Sequence, residues 1–146
     1  MKKKRILALF LAAVSCLSLA VSASAANTVN RKATDFHDFD KSAWYAEAVS
    51  AAVDNGLLYG KSSTIIDPNG DMTRAEMAAI INRSFGCYKV ADISQYKDVA
   101  KSKWYYKDVG LAVQMGTYNG RSSSSMAPDA PITREEAMTV VARALE

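Results

Sequence analysis

Shifted by sixty residues, the chain falls on itself without a gap, and this is what most restricts how it can fold. Trp44-Tyr45 lands on Trp104-Tyr105, Ala52-Val53 on Ala112-Val113, Gly56 and Gly60 on Gly116 and Gly120, and Pro68 on Pro128. Thr73-Arg74 with Glu76 lands on Thr133-Arg134 with Glu136, Asp38 on Asp98, and Arg83 on Arg143. A match of that length is a duplicated module, and the two copies must share one plan. The boundaries are 36–86 and 96–146 for the repeats, with 87–95 as linker and 26–35 as a flexible leader.

Each repeat reads as helix, long loop, helix. The first helix is expected from Trp44 to Asn55, with Ala48, Val49, Ala52 and Val53 on one face and Gly56 at the left-handed cap. About sixteen residues of loop follow, a length that marks either disorder or function. Thr73-Arg74-Ala75-Glu76 then opens the second helix as a capping box, which Thr133-Arg134-Glu135-Glu136 repeats. The expected buried stripes are Met77, Ile80, Ile81, Ser84 and Phe85, and in the second copy Ala137, Val140, Val141, Ala144 and Leu145. The class is all-α, with the two second helices expected to pack on each other.

Ahead of the repeats lies a targeting signal. Lys2, Lys3, Lys4 and Arg5 form a positive start, Ile6 to Val21 is apolar apart from Ser15, Cys16 and Ser18, and Ala23-Ser24-Ala25 suits signal peptidase. Cleavage is expected after Ala25, so 1–25 is a signal peptide. Removing it takes four of the 18 basic residues and none of the 15 acidic ones, leaving 14 against 15 where the whole chain carries +3. The basic surplus belongs to the signal, which removes the usual ground for a nucleic-acid partner. Cys16 leaves too, and Cys87 is left without a partner for an internal disulfide.

Arg74 and Arg134 are the leading binding residues. Each stands in a first helical turn, where the macrodipole disfavours a cation, so helix stability does not account for it. Beside free backbone N–H groups, a guanidinium suits a carboxylate. The structural alternative is pairing with a nearby acid such as Glu76 or Asp38. Trp44 and Trp104 are either sugar-stacking faces or core. Asp38 and Asp98 read first as caps of the first helix, with acceptance of sugar hydroxyls as the alternative. Gly60 and Gly120 serve the backbone, through positive φ or close ligand approach. Thr73, Glu76, Thr133 and Glu136 are capping residues. A calcium loop at Asp67-Pro68-Asn69-Gly70-Asp71 is rejected for want of the glycine and distal glutamate it needs, and no metal or cofactor is expected. His37 lies outside the repeat, and no residue pattern recommends an enzyme.

In phase across the two repeats, Phe36, Asp38, Trp44, Gly56, Gly60, Pro68 and Met72-Thr73-Arg74-Ala75-Glu76 are matched by Tyr96, Asp98, Trp104, Gly116, Gly120, Pro128 and Ile132-Thr133-Arg134-Glu135-Glu136. On these residues the sequence resembles the S-layer homology family. The resemblance implies a secreted protein at a bacterial cell wall or surface. It implies non-covalent binding, between neighbouring modules, of a secondary cell-wall polysaccharide or peptidoglycan-linked glycan, often one bearing a pyruvate ketal. Members commonly arrange three modules about a pseudo-threefold axis, so two repeats are expected to form an incomplete pseudo-threefold bundle. That expectation makes the chain itself, or another S-layer homology protein, a candidate partner. Its rivals for the leading function are a structural assembly protein and the N-terminal part of a longer surface protein. Lys61-Ser62-Ser63-Thr64 and Arg121-Ser122-Ser123-Ser124 stand where members often have an aspartate-glycine turn.

Overall fold

The structure, a computed structural model, describes residues 31–146; the signal segment 1–25 and the first part of the leader lie outside the described residues. After a single 3₁₀ turn at Ala33–Asp35 come four helices: α1 (Ala46–Asp54), α2 (Arg74–Phe85), α3 (Tyr106–Gln114) and α4 (Arg134–Ala144). No strand occurs among the described residues. One isolated antiparallel bridge joins Thr73 to Pro131. The all-α reading and the duplicated helix–loop–helix plan hold.

Local chemistry sets the helix ends. Thr73 Oγ1 accepts from Glu76 N at 3.2 Å while Glu76 Oε2 accepts from Thr73 N at 2.8 Å, and Thr133 and Glu136 repeat the box at 3.3 and 3.0 Å. Each exchange satisfies two backbone donors that a helix start otherwise leaves open. Gly56 has φ +68°, and Leu57 N donates to Ala52 O while Gly56 N donates to Val53 O. That pair of bonds is a Schellman ending, which needs the left-handed residue glycine supplies. The first helices begin two residues later than expected, after Tyr45 and Tyr105, and neither has a side-chain cap.

The packing departs from expectation in one respect that positions everything else. α2 packs chiefly against α3, the first helix of the other repeat, and only secondarily against α4. Ala75, Ala78 and Ile81 of α2 therefore share a core with Tyr105, Val109, Ala112, Tyr118, Met126 and Val140. A smaller core of Ala33, Phe36, Val53 and Ile66 serves repeat 1. The buried face of α2 is rotated from the expected stripe: Ala75, Ala78, Ala79 and Asn82 are buried, whereas Ser84 and Phe85 are exposed. Short alanines let α2 approach α3 closely, so the face with the least side chain is the one covered. In the second stripe Val140 is buried and Leu145 is exposed. On α1, Val53 is buried and Ala48 is exposed.

Candidate functional site: the inter-repeat joint and its grooves

The loops are ordered by their own residues. Ser62 Oγ accepts from Thr64 N and Ile65 N, and Ser122 Oγ accepts from Ser124 N and Ser125 N. Asp38 and Asp98 do not cap the first helices. Asp38 accepts from Ile66 N at 2.9 Å and Asp67 N at 2.7 Å, and Asp98 accepts from Met126 N at 3.0 Å and Ala127 N at 2.7 Å. The helix start lies too far along the chain for them, while the loop returns beside them. Asp67 and Ala127 both carry positive φ, +55° and +53°, at equivalent positions. A carboxylate accepting two successive N–H groups holds that unfavourable turn in place. The Ile66 N–H chiefly, with the Asp67 N–H, lowers the Asp38 carboxyl below its ordinary range. Asp98 is lowered too: burial opposes ionisation, and the bonds from Met126, Ser125 and Ala127 outweigh it.

Gly60 has φ +83°, and a Cβ there would come within 2.5 Å of the Phe36 ring and 2.6 Å of Ile65 O. At Gly120 a Cβ would come within 2.5 Å of both the Tyr96 ring and Ser122 O. Both glycines are required by the loop closing over an aromatic ring, the backbone role expected of them.

The two arginines, each second in a Thr-Arg-x-Glu box, part company. Arg74 is 5% exposed. Its Nε donates to Met126 O at 3.0 Å, one terminal nitrogen donates to Asn119 O at 3.2 Å, and the other meets Glu136 at 3.0 Å. The guanidinium lies 5.2 Å from the Tyr118 ring centre, and Tyr118 in turn donates to Arg74 O at 2.9 Å. Its partner is thus neither Glu76 nor Asp38 but a glutamate of the other repeat. Arg134 is exposed, with no hydrogen bond or ion pair among the described residues. Glu136 accepts two cations, Arg74 and Arg121, the latter at 3.1 Å. Arg121 chiefly, with the Thr133 N–H and Arg74, lowers its carboxyl against the opposing effect of burial. Glu76 carries one cation, Lys61 at 2.7 Å. Burial pushes Glu76 upward, but Lys61 and the Thr73 N–H outweigh it and the carboxyl is lowered.

The tryptophans are not core. Trp44 is 92% exposed and Trp104 60%, while the neighbouring Tyr105 is buried and meets Trp104 edge to face. In repeat 2 the buried ring of the aromatic pair is Tyr105, whereas in repeat 1 Tyr45 is half-buried. Tyr105 donates to Asp129 at 2.9 Å, and burial, with that carboxylate, pushes its hydroxyl up to about 12.

Two grooves result, each over one repeat's loop and second helix. The groove on repeat 1, about 500 Å³, includes Tyr59, Gly60, Lys61, Glu76, Arg83 and the ring of Trp104 from the other repeat. The groove on repeat 2, about 290 Å³, includes Asn119, Gly120, Arg121, Glu136 and Arg143, with Arg74 forming one wall. Arg83 donates to Leu57 O at 3.0 Å and lies 4.1 Å from the Tyr59 ring centre, which fixes a cation beside an exposed aromatic face. Tyr59, Lys61 and Arg83 are not among the site residues expected from the sequence; Lys61 and Arg83 recur as cations at the sixty-residue shift, which is the signal that could have found them. No cluster of residues suited to a metal occurs among the described residues.

Comparison with known proteins agrees with the repeat. The S-layer homology domain profile matches residues 35–78 and 95–138, together more than half of the chain. The Surface-layer 125 kDa protein of Lysinibacillus sphaericus is 34% identical over 116 residues, covering 77% of this chain and 10% of that protein. An Endoglucanase of Bacillus sp. (strain KSM-635) is 29% identical over 145 residues, 98% of this chain and 15% of that protein. The Cell surface protein of Thermoanaerobacter kivui is 28% identical over 140 residues, 92% of this chain and 18% of its own length. The chain thus spans under a fifth of each of these relatives, and relatives with different names share this one segment. With two in-phase helix–loop–helix repeats and a profile match to each, the chain belongs to the S-layer homology domain family.

Proposed function

We propose that this chain is a non-catalytic, exported attachment module that holds an anionic, pyruvate-bearing secondary polysaccharide of a bacterial cell wall. The observation that carries the reading is the composition of the repeat 1 groove, where exposed Tyr59 and Trp104 accompany Lys61 and Arg83. Aromatic faces pack on the apolar faces of sugar rings, and fixed cations suit a ketal carboxylate. Gly60 and Gly120 keep the loop backbone low under the ligand. Arg74 acts as a positioning residue for the repeat 2 groove, and Asp38 and Asp98 hold the loops rather than touch sugar. Trp44 and Arg134 are exposed and line neither groove. Export by the signal at 1–25 and a surface location accord with relatives named surface-layer and cell surface proteins.

Co-sedimentation with purified walls, native and stripped of pyruvate, tests the reading. The parent should pellet with native walls and stay in solution with stripped ones. Trp104→Ala and Lys61→Ala should each weaken binding about tenfold, the loss of one stacking or one charge-assisted contact. Equal binding to both wall preparations would refute the anionic ligand.

A further inference from the structure

We propose that the repeat pair docks onto a second copy of the same chain, with Arg134 of one copy seated on Glu76 of the other. The joint inside the chain is the template. There the first turn of α2 enters repeat 2: Arg74 N donates to Ala130 O at 3.0 Å, Ala75 N to Pro128 O at 2.9 Å, and the guanidinium completes the coordination of Glu136. A shift of sixty residues names the counterpart of every group. The donors become Arg134 N, Glu135 N and the Arg134 guanidinium; the acceptors become the carbonyls of Gly70 and Pro68 and the carboxylate of Glu76.

Both halves of that second joint stand open. Arg74 and Ala75 are buried, whereas Arg134 and Glu135 are exposed. Glu136 takes two cations and Glu76 takes one, so the seat that Arg74 fills beside Glu136 is vacant beside Glu76. The groove is about 290 Å³ where an arginine is seated and about 500 Å³ where none is. α3, lying under α2 and the linker at Val90-Ala91, buries Val109, Gly110, Leu111 and Ala112; α1, with no second helix over it among the described residues, buries Val53 alone. Trp44, on the uncovered side, is 92% exposed. A helix start alone would name no partner; here the same helix start, with the same arginine, already docks on the same glutamate in the same chain.

The socket on repeat 1 keeps the geometry that matters. Ile66 replaces Met126 and retains the carbonyl, and Leu58 replaces Tyr118 and leaves more room. Tyr59 O, the counterpart of Asn119 O, is held by Arg31 in a long bond of 3.4 Å that an incoming guanidinium displaces. Repeat 2 retains a groove over Gly120, Arg121 and Arg143 with Arg74 in place, so docking leaves the equivalent space over Gly60, Lys61 and Arg83 open. Each copy offers one arginine and one glutamate seat. The contact is heterologous, closing into a ring or running on head to tail as the rotation between repeats dictates.

Sedimentation velocity of the purified protein, without wall material, tests this separately from glycan binding. The parent should shift to larger species as concentration rises. Arg134→Ala should move the midpoint upward at least tenfold, with a melting temperature unchanged at concentrations where the parent is monomeric, and Arg134→Lys should recover part of the loss because a point charge lacks the planar fork. A parent that stays monomeric up to millimolar concentration overturns the proposal. So does association that Arg134→Ala leaves unaltered.

Discussion

Arg74 and Arg134 offer an internal control: the same residue in the same motif, buried once and exposed once. Arg74→Ala removes a guanidinium 6% exposed at its side chain, together with its ion pair to Glu136 and its bonds to Met126 O and Asn119 O. Breaking a buried pair costs about 3–5 kcal/mol when the partner is left uncompensated. Glu136 keeps Arg121, and Asn119 is exposed enough to recover water, which lowers the figure. Met126 O lies in the core and loses its donor, at about 1–3 kcal/mol. The net expectation is about 2–4 kcal/mol, or a melting temperature lower by about 10 °C for a unit of this size. Arg134→Ala should change stability by under about 0.5 kcal/mol, as exposed substitutions do. Thermal and urea unfolding followed by circular dichroism measures both. Equal, small shifts would refute the claim that Arg74 fastens the two repeats together, and Arg74 would become available for ligand in solution.

Two further outcomes follow from the loops and the joint. Ala127→Gly should raise stability by about 1 kcal/mol in urea titrations, because the left-handed backbone at φ +53° costs alanine what it does not cost glycine; a loss would mean the Asp98 bonds have relaxed the turn. Glu76 and Glu136 both have lowered carboxyls, so the folded chain binds their protons less readily than the unfolded one. Their contribution is complete above the ordinary glutamate value of about 4.3 and is lost as pH falls through the lowered folded values. Melting temperature should therefore drop on acidification below about pH 4.5, and Glu136→Gln should blunt that drop.

What could be read from the sequence was local or repeated. The sixty-residue shift defined the module, the Thr-x-x-Glu boxes located the starts of α2 and α4, and Gly56 marked the end of α1, because each depends on contacts within a few residues. The loop glycines were legible because they recur at the shift, although the rings that crowd them, Phe36 and Tyr96, lie some twenty-four residues earlier. Asp38 and Asp98 were misread as helix caps because their true partners, the loop N–H groups, lie 28 and 29 residues away. Trp44 and Trp104 looked as much like core as Tyr45 and Tyr105, since adjacent aromatics in a first turn give no hint of which ring turns inward. The two arginines show the limit most clearly. Both stand second in a Thr-Arg-x-Glu box, and the box alone does not tell them apart. Only the tertiary structure decided that α2 packs across onto α3, bringing Met126, Asn119 and Glu136 around Arg74, while no second joint among the described residues encloses Arg134. Burial depends on which surface arrives from elsewhere, and that is a property of the assembled fold.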